Sequence, residues 1–148
     1  MAIMLMIERK ILDDIYRHAL DEYPDECCGI LVGFDNGDER IVTKAHRAKN
    51  VSTERRHDRY LVDERKLIEV IKSTRGKAED VIGFYHSHPD YPSTPSQYDT
   101  EHAAWPGYSY LIVSVEKARA VSAQSWIMPQ ENGSFLEQAL SLREDQPV

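Results

Sequence analysis

Two histidines and one aspartate near the middle of the sequence have the types and the spacing of metal ligands. His86 and His88 lie on either side of Ser87, in a predicted strand that Pro89 ends. Side chains two positions apart in a strand share a face, so both imidazoles can reach one ion while Ser87 faces away. Ten residues separate His88 from Asp99, enough for a loop that brings back a third ligand. Three protein ligands leave one tetrahedral position open, as in a catalytic zinc site.

The same residues also have interpretations that need no metal. A His-x-His pair arises by chance, and a hydrogen bond alone can hold either ring on a strand. Ser96 and Asp99 have the spacing of a capping box, in which a serine and an acidic residue begin a helix. The two interpretations are compatible, because a helix capped by Ser96 would place Asp99 in its first turn, at the mouth of the loop after the strand.

Composition restricts the classes of function. The 148 residues suffice for one domain with a core, so residues 1–148 are treated as a single domain. We expect about ten residues at the carboxyl end to fray. The net charge of −7 argues against nucleic-acid binding. The apolar run at residues 1–7 lacks the flanks of a signal peptide, and no stretch is long enough to span a bilayer. These features predict a cytoplasmic protein with no nucleic-acid or membrane partner.

Two adjacent cysteines, Cys27 and Cys28, favour a reducing compartment, because neighbouring cysteines rarely form a disulfide. Neither belongs to a Cys-x-x-Cys pair of the kind that indicates a structural zinc site or thioredoxin-like chemistry. A nucleophilic cysteine is an alternative without a local signature. We therefore expect both thiols to be buried packing residues.

The elements that position these residues alternate between helices and strands. Residues 8–22 carry apolar side chains three or four positions apart, which predicts an amphipathic helix that Pro24 stops. Asp63 is placed to cap a second helix that ends near Gly76. The predicted buried stripe of this second helix is Leu67, Ile68, Val70 and Ile71.

Strands are predicted on both sides of the second helix. A turn at residues 35–38 joins two of them into a hairpin, and the helix capped by Ser96 is expected to run to about residue 104. The pattern indicates an α/β or α+β domain in which helices flank a central mixed sheet containing the metal strand. The predicted strands are residues 27–34, 40–47, 60–62, 81–88, 108–115 and 120–128, followed from Gly133 by a short docked segment.

The polar segment at residues 50–59 carries Arg55, Arg56, His57 and Arg59. A solvated loop is the favoured interpretation. The alternative is that these cations seat an extended chain or a terminal carboxylate near the metal.

A metal hydrolase also needs a carboxylate that takes the proton of the water and returns it to the leaving amine. Glu26 is the candidate, because it opens a Glu-x-Cys-Gly-x-Leu-x-Gly stretch. That stretch, His86-x-His88-Pro89 and Ser96-x-x-Asp99 together resemble the JAMM (MPN+) metalloprotease family. Residues 110–114 also resemble the strand after the metal helix of that family, so the likeness runs from the first helix to about Met128.

The resemblance implies a fold and a role for each matching residue. The fold would be the cytidine-deaminase-like JAMM/MPN architecture. His86, His88 and Asp99 match the zinc ligands, with water in the fourth position. Glu26 matches the general acid/base, and Ser96 matches the residue that stabilises the oxyanion. No motif position is missing, in contrast to inactive scaffold members.

The resemblance also implies a class of substrate. The family hydrolyses peptide or isopeptide bonds after the C-terminal Gly-Gly of ubiquitin or a ubiquitin-like protein. This chain has no long insertion, so it is similar to the small prokaryotic members that act on ubiquitin-like sulfur carriers. A sulfur-carrier or ubiquitin-like tail is therefore the expected partner, and the sequence leaves the oligomeric state open.

Two alternatives remain at this point. A pair of histidines with one carboxylate also holds iron(II) in cupin-type oxygenases, although the two helical stripes argue against a mostly β double-sheet barrel. The second alternative is a scaffold module that binds the metal without proteolysis, against which the intact Glu26 and Ser96 count.

Overall fold

The sequence folds into strands that alternate with helices, as its periodicity predicts. A computed structural model describes residues 4–130 and 133–144. Within these residues the elements are β1 (Met4–Glu8), α1 (Arg9–Glu22), β2 (Cys28–Asn36), β3 (Glu39–Ala48), α2 (Glu64–Thr74), β4 (Asp80–Pro89), α3 (Gln97–His102), β5 (Ser109–Glu116), β6 (Arg119–Ile127) and β7 (Leu136–Arg143).

The strands close into a barrel in the order β1-β3-β2-β4-β5-β6-β7, with β7 returning to β1. Strand β1 pairs in parallel with both β3 and β7, and β4 pairs in parallel with β5. The remaining neighbours are antiparallel, so the sheet is mixed. The prediction of a central mixed sheet with flanking helices is confirmed.

Helix α1 packs on the sheet through the stripe that its sequence predicts. Leu12, Ile15 and Ala19 are buried in a cluster with β1, β4 and β5. His18 lies on the same face and is also buried, which the apolar pattern did not indicate. The helix begins at Arg9, one residue later than predicted, because Glu8 is the last residue of β1.

Helix α2 packs on a second cluster around Phe84 and Tyr110. Its cap is as predicted, since the Asp63 side chain accepts a hydrogen bond from the Arg65 amide at 3.1 Å. Val70 is buried, but Ile68 is 52% exposed, so its assignment to the buried stripe was wrong. The face of α2 that packs on the sheet is therefore narrower than the predicted stripe of four apolar residues.

Two parts of the backbone differ from the prediction. Residues 60–62 make only an isolated bridge, between Val62 and Asn50, because this segment turns toward the candidate site. The tail after Gly133 is a full strand, β7, that pairs with β1 and β6. Fraying was therefore wrong for the part up to Arg143, and residues 145–148 lie outside the described part of the chain.

Two further expectations concern the cysteines and the membrane. Cys27 and Cys28 are free and buried, and burial raises the pKa of the Cys27 thiol to about 12. Both thiols therefore pack as expected and are poor nucleophiles. Among the described residues, no helix has the length and apolarity needed to cross a membrane.

Candidate metal centre

The two histidines lie on the buried strand β4, between β2 and β5. Cys28 is the β2 neighbour of His86, and Ser114 is the β5 neighbour of His88. Hydrogen bonding on both edges fixes the backbone that carries the rings. Both side chains are buried, and their Nε2 atoms lie 3.1 Å apart. The i, i+2 geometry predicted from the sequence is therefore present.

Helix α3 brings Asp99 to the same point. Ser96 caps this helix in a capping box: its hydroxyl accepts from the Asp99 amide, and Asp99 Oδ2 accepts from the Ser96 amide, both at 3.0 Å. The same Oδ2 lies 3.1 Å from His86 Nε2 and 2.9 Å from His88 Nε2. The capping interpretation is confirmed, and the same geometry is compatible with the metal interpretation.

The three donor atoms fit a tetrahedral zinc ion. Zinc bonds to nitrogen and oxygen of about 2.0–2.2 Å imply ligand-to-ligand edges of roughly 3.3–3.5 Å, and the observed edges are 2.9–3.1 Å. Asp99 Oδ1 is buried without a partner among the described residues. These three side chains also form a cluster of candidate ligands in the described part of the chain.

Contacts behind the rings fix their orientation. His88 Nδ1 lies 2.6 Å from the Pro92 carbonyl oxygen, to which only a protonated nitrogen can donate, so the Nε2 lone pair faces the donor cluster. Tyr91 stacks on His88 with ring centroids 4.0 Å apart, and Tyr60 stacks on His86 at 4.2 Å. Neither tyrosine belongs to the site predicted from the sequence, because their contacts arise only when separate loops converge.

The charges of the cluster suit a divalent cation. Burial alone would raise the pKa of the Asp99 carboxyl, but the two imidazoles beside it hold that pKa well below its usual range. Asp99 is therefore ionised at neutral pH. Burial lowers the pKa of His88 and so favours the neutral imidazole, which is the form that binds metal.

Glu26 is fully buried beside this cluster and is held at its backbone. Its amide donates to the Arg56 carbonyl at 2.6 Å, and its carbonyl accepts from the Asn50 side chain at 3.0 Å. Its Oε2 accepts a hydrogen bond from the Tyr91 hydroxyl, whereas Oε1 has no partner among the described residues. Burial raises the pKa of Glu26 to about 8, although His86 and the Tyr91 hydroxyl favour the charged form.

The segment at residues 50–59 is a largely exposed loop, as predicted, and several of its polar groups form hydrogen bonds. Asn50 donates to the carbonyls of both Glu26 and Arg59, and the Arg56 side chain donates to the Ser52 carbonyl. Arg55 pairs with Asp58 at the surface. The segment therefore supports the Glu26 backbone, while its role in seating a substrate stays a prediction.

Two clefts open beside the cluster, one on each side of Tyr98. A cleft of about 580 Å³ reaches Tyr91 and Ser96 and is bordered by Arg55 and Arg59. A cavity of about 310 Å³ reaches Asp99 and is walled mainly by aromatic and apolar side chains. The Arg59 guanidinium lies 5.0 Å from the centroid of the Tyr98 ring, at the boundary between them. An extended chain could therefore approach the donor cluster from the surface.

Comparison with known proteins places this geometry in a family. A family model described as prokaryotic homologs of the JAB domain matches residues 8–127. A desampylase of Haloferax volcanii is 38% identical over 118 residues, which cover 77% of this chain and 81% of the relative. A CysO-cysteine peptidase of Mycobacterium tuberculosis is 29% identical over 115 residues, covering 75% and 73%.

A solved structure is similar to this chain over nearly its whole length. The solution structure of a protein from Desulfitobacterium hafniense has a TM-score of 0.82 and 29% identity, covering 95% of this chain and 94% of the other. The family match excludes the cupin alternative. This chain belongs to the JAB (JAMM/MPN+) domain family, in its prokaryotic branch.

Proposed function

We propose that this protein is a zinc-dependent metallopeptidase that hydrolyses the peptide or isopeptide bond after the C-terminal Gly-Gly of a ubiquitin-like or sulfur-carrier protein. The observation that carries the proposal is the buried donor triangle of His86, His88 and Asp99, with the carboxylate of Glu26 beside it. Metal ligands alone would fit a structural site, but an added carboxylate with one unpartnered oxygen fits hydrolysis.

The protein residues have separate tasks in this proposal. His86, His88 and Asp99 would hold the ion, which when bound supplies Lewis-acid activation of a water and of the scissile carbonyl. Glu26 takes a proton from the attacking water at Oε1 and delivers it to the leaving amine. The raised pKa of Glu26, about 8, suits a group that must both accept and release a proton near neutral pH.

Ser96 is the proposed donor to the oxyanion. Its oxygen accepts a hydrogen bond from the Asp99 amide, and a hydroxyl that accepts still has its own hydrogen to donate. No acceptor takes that hydrogen among the described residues of the structure. Because Ser96 lines the open cleft of about 580 Å³, its hydroxyl can reach negative charge that develops on the substrate carbonyl.

The substrate class rests on the two relatives. One relative is named a desampylase and the other a CysO-cysteine peptidase. Zinc as the ion, cytoplasmic location and the individual site roles are parts of this proposal.

The test is cleavage of a ubiquitin-like protein that carries an extension after its Gly-Gly, by the zinc-loaded protein. Glu26→Gln should reduce kcat by about 1,000-fold or more, because the proton acceptor is lost. It should retain one zinc per chain, since Glu26 lies outside the donor triangle. Glu69→Gln, at an exposed position on α2, is the matched control and should keep both activity and zinc.

Two results would contradict the proposal. If Glu26→Gln loses zinc, Glu26 is a ligand and its assigned role is wrong. If the wild-type protein binds zinc but cuts no extension or isopeptide, the domain is a non-proteolytic scaffold.

A further inference from the structure

We infer that Tyr91 is a positioning residue for Glu26: its hydroxyl occupies Oε2 of the carboxylate and so leaves Oε1 to face the reacting water. The inference rests on the proposed function, because it assigns Tyr91 a role only if Glu26 exchanges protons during hydrolysis. The sequence motifs do not include Tyr91.

The two oxygens of the Glu26 carboxylate have different surroundings. The Tyr91 hydroxyl donates to Oε2, and Oε1 is buried without a hydrogen-bond partner among the described residues. A buried carboxylate oxygen without a donor is costly. Its natural partner is a donor that arrives with the reaction, and the water proton is that donor.

Tyr91 is itself held in place from three directions. Its ring stacks on the His88 ring at an interplanar angle of 14°. Its carbonyl accepts a hydrogen bond from the Ser114 hydroxyl at 2.6 Å, which ties the segment to β5. The next residue, Pro92, accepts from His88 Nδ1. One rigid segment therefore fixes both a metal-binding ring and the carboxylate.

This arrangement links the direction of the proton acceptor to the position of the donor cluster. A carboxylate on a flexible side chain can rotate and offer either oxygen, and each wrong orientation reduces the rate. A hydrogen bond from a stacked tyrosine removes that freedom. The phenol is a hydrogen-bond donor at neutral pH, because a tyrosine hydroxyl ordinarily ionises only at about pH 10.

Tyr91→Phe separates positioning from packing, because phenylalanine keeps the ring that stacks on His88 and removes only the hydroxyl. We expect kcat of the zinc-loaded protein to fall about 10- to 100-fold, as for other supporting contacts of a metal site. KM, zinc content and Tm should stay near the wild-type values, since neither the cleft nor the donor triangle changes. A purely structural role for Tyr91 would change Tm or zinc content first.

Tyr23→Phe is the matched control. The Tyr23 hydroxyl also donates to a carboxylate of this loop, Asp90 Oδ2 at 2.6 Å, but at the surface and not to the Glu26 carboxylate. It should keep wild-type kcat.

The outcomes distinguish the inference from the function on which it rests. If Glu26→Gln is inactive while Tyr91→Phe retains wild-type kcat, the inference is wrong and the proposed function stands. If Tyr91→Phe has a lower zinc content or a lower Tm than the wild-type protein, Tyr91 acts through the fold and the inference is also wrong. If the wild-type protein cuts nothing, the proposed function fails and the inference fails with it.

Discussion

Cys27 and Ser87 exchange two hydrogen bonds between the segment that carries Glu26 and the strand that carries His86 and His88. The Cys27 amide donates to the Ser87 hydroxyl at 2.8 Å, and the Ser87 amide donates to the Cys27 carbonyl at 3.1 Å. Cys27 follows Glu26 directly, and Ser87 lies between the two histidines. This pair of residues is thus one direct connection between the proposed base and the proposed ligands.

Ser87→Ala should therefore reduce activity without removing the metal. The substitution leaves the buried Cys27 amide with no acceptor, at a cost of about 1–3 kcal/mol in the free energy of unfolding. Because Cys27 loses one of the two hydrogen bonds that it exchanges with Ser87, we expect kcat to fall about 10-fold. Cleavage kinetics, zinc content and urea unfolding measure the three effects.

A buried serine on β6 provides the control for this prediction. The Ser125 hydroxyl donates to Gln138 at 2.8 Å, away from the donor cluster. Ser125→Ala should also lower stability but should leave kcat unchanged. Equal kcat values for the two variants would show that the Cys27–Ser87 pair has no bearing on catalysis.

Zinc binding should stabilise the folded protein. Zinc at about 100 times its Kd should raise the free energy of unfolding of the wild-type protein by about 2.7 kcal/mol, because it binds only the folded state. Asp99→Asn should lose most of that gain, since the charged ligand is removed while an amide oxygen can still accept from the Ser96 amide. Thermal unfolding with zinc and with a chelator measures the difference.

Asp90→Asn is the control for the ion. Asp90 is an exposed carboxylate of the loop after β4, and it accepts hydrogen bonds from Tyr23 and from the Lys117 amide. Zinc should stabilise Asp90→Asn as much as it stabilises the wild-type protein. If zinc stabilises Asp99→Asn equally, Asp99 is not a ligand.

Much of the candidate site was predictable from the sequence because its spacing is local. The i, i+2 pair on β4 and the i, i+3 pair at the start of α3 each need only one element to form. Glu26 was identified by the Glu-x-Cys-Gly-x-Leu-x-Gly stretch that it opens, whose meaning comes from the family resemblance and not from a local structural rule. Tyr91 and Asn50 were missed because their contacts join loops that are distant in sequence.

The closure of the barrel was also not predictable from local patterns. Strand β1 has five residues, and its pairing with β7 is parallel and spans nearly the whole chain. Parallel pairs between chain ends have no connecting turn, so no turn residue marks them. From the sequence, the apolar residues 1–7 could be assessed only as a poor signal peptide. In the structure, residues 4–7 of this run belong to the core strand β1.

The stability of the fold should also depend on pH through a buried histidine away from the candidate metal centre. His18 on α1 and Tyr85 on β4 share a buried hydrogen bond of 2.7 Å. Burial, with a smaller contribution from Arg47, lowers the pKa of His18 from 6.5 to about 4. The His18 ring of the folded protein therefore stays neutral between pH 6.5 and 4, whereas the same ring in the unfolded chain takes up a proton. Acidification through this pH range therefore destabilises the folded state. The stability that the neutral ring provides is complete above pH 6.5 and is lost as the pH falls toward 4. The expected loss is about 2 kcal/mol once solvent screening is allowed for.

His18→Asn can keep an acceptor for the Tyr85 hydroxyl but cannot titrate, so its free energy of unfolding should fall less than that of the wild type over this range. His57→Asn, at an exposed position, should follow the wild-type curve, and urea unfolding at several pH values compares the three proteins. Parallel curves for the wild type and His18→Asn would show that His18 is not the residue responsible.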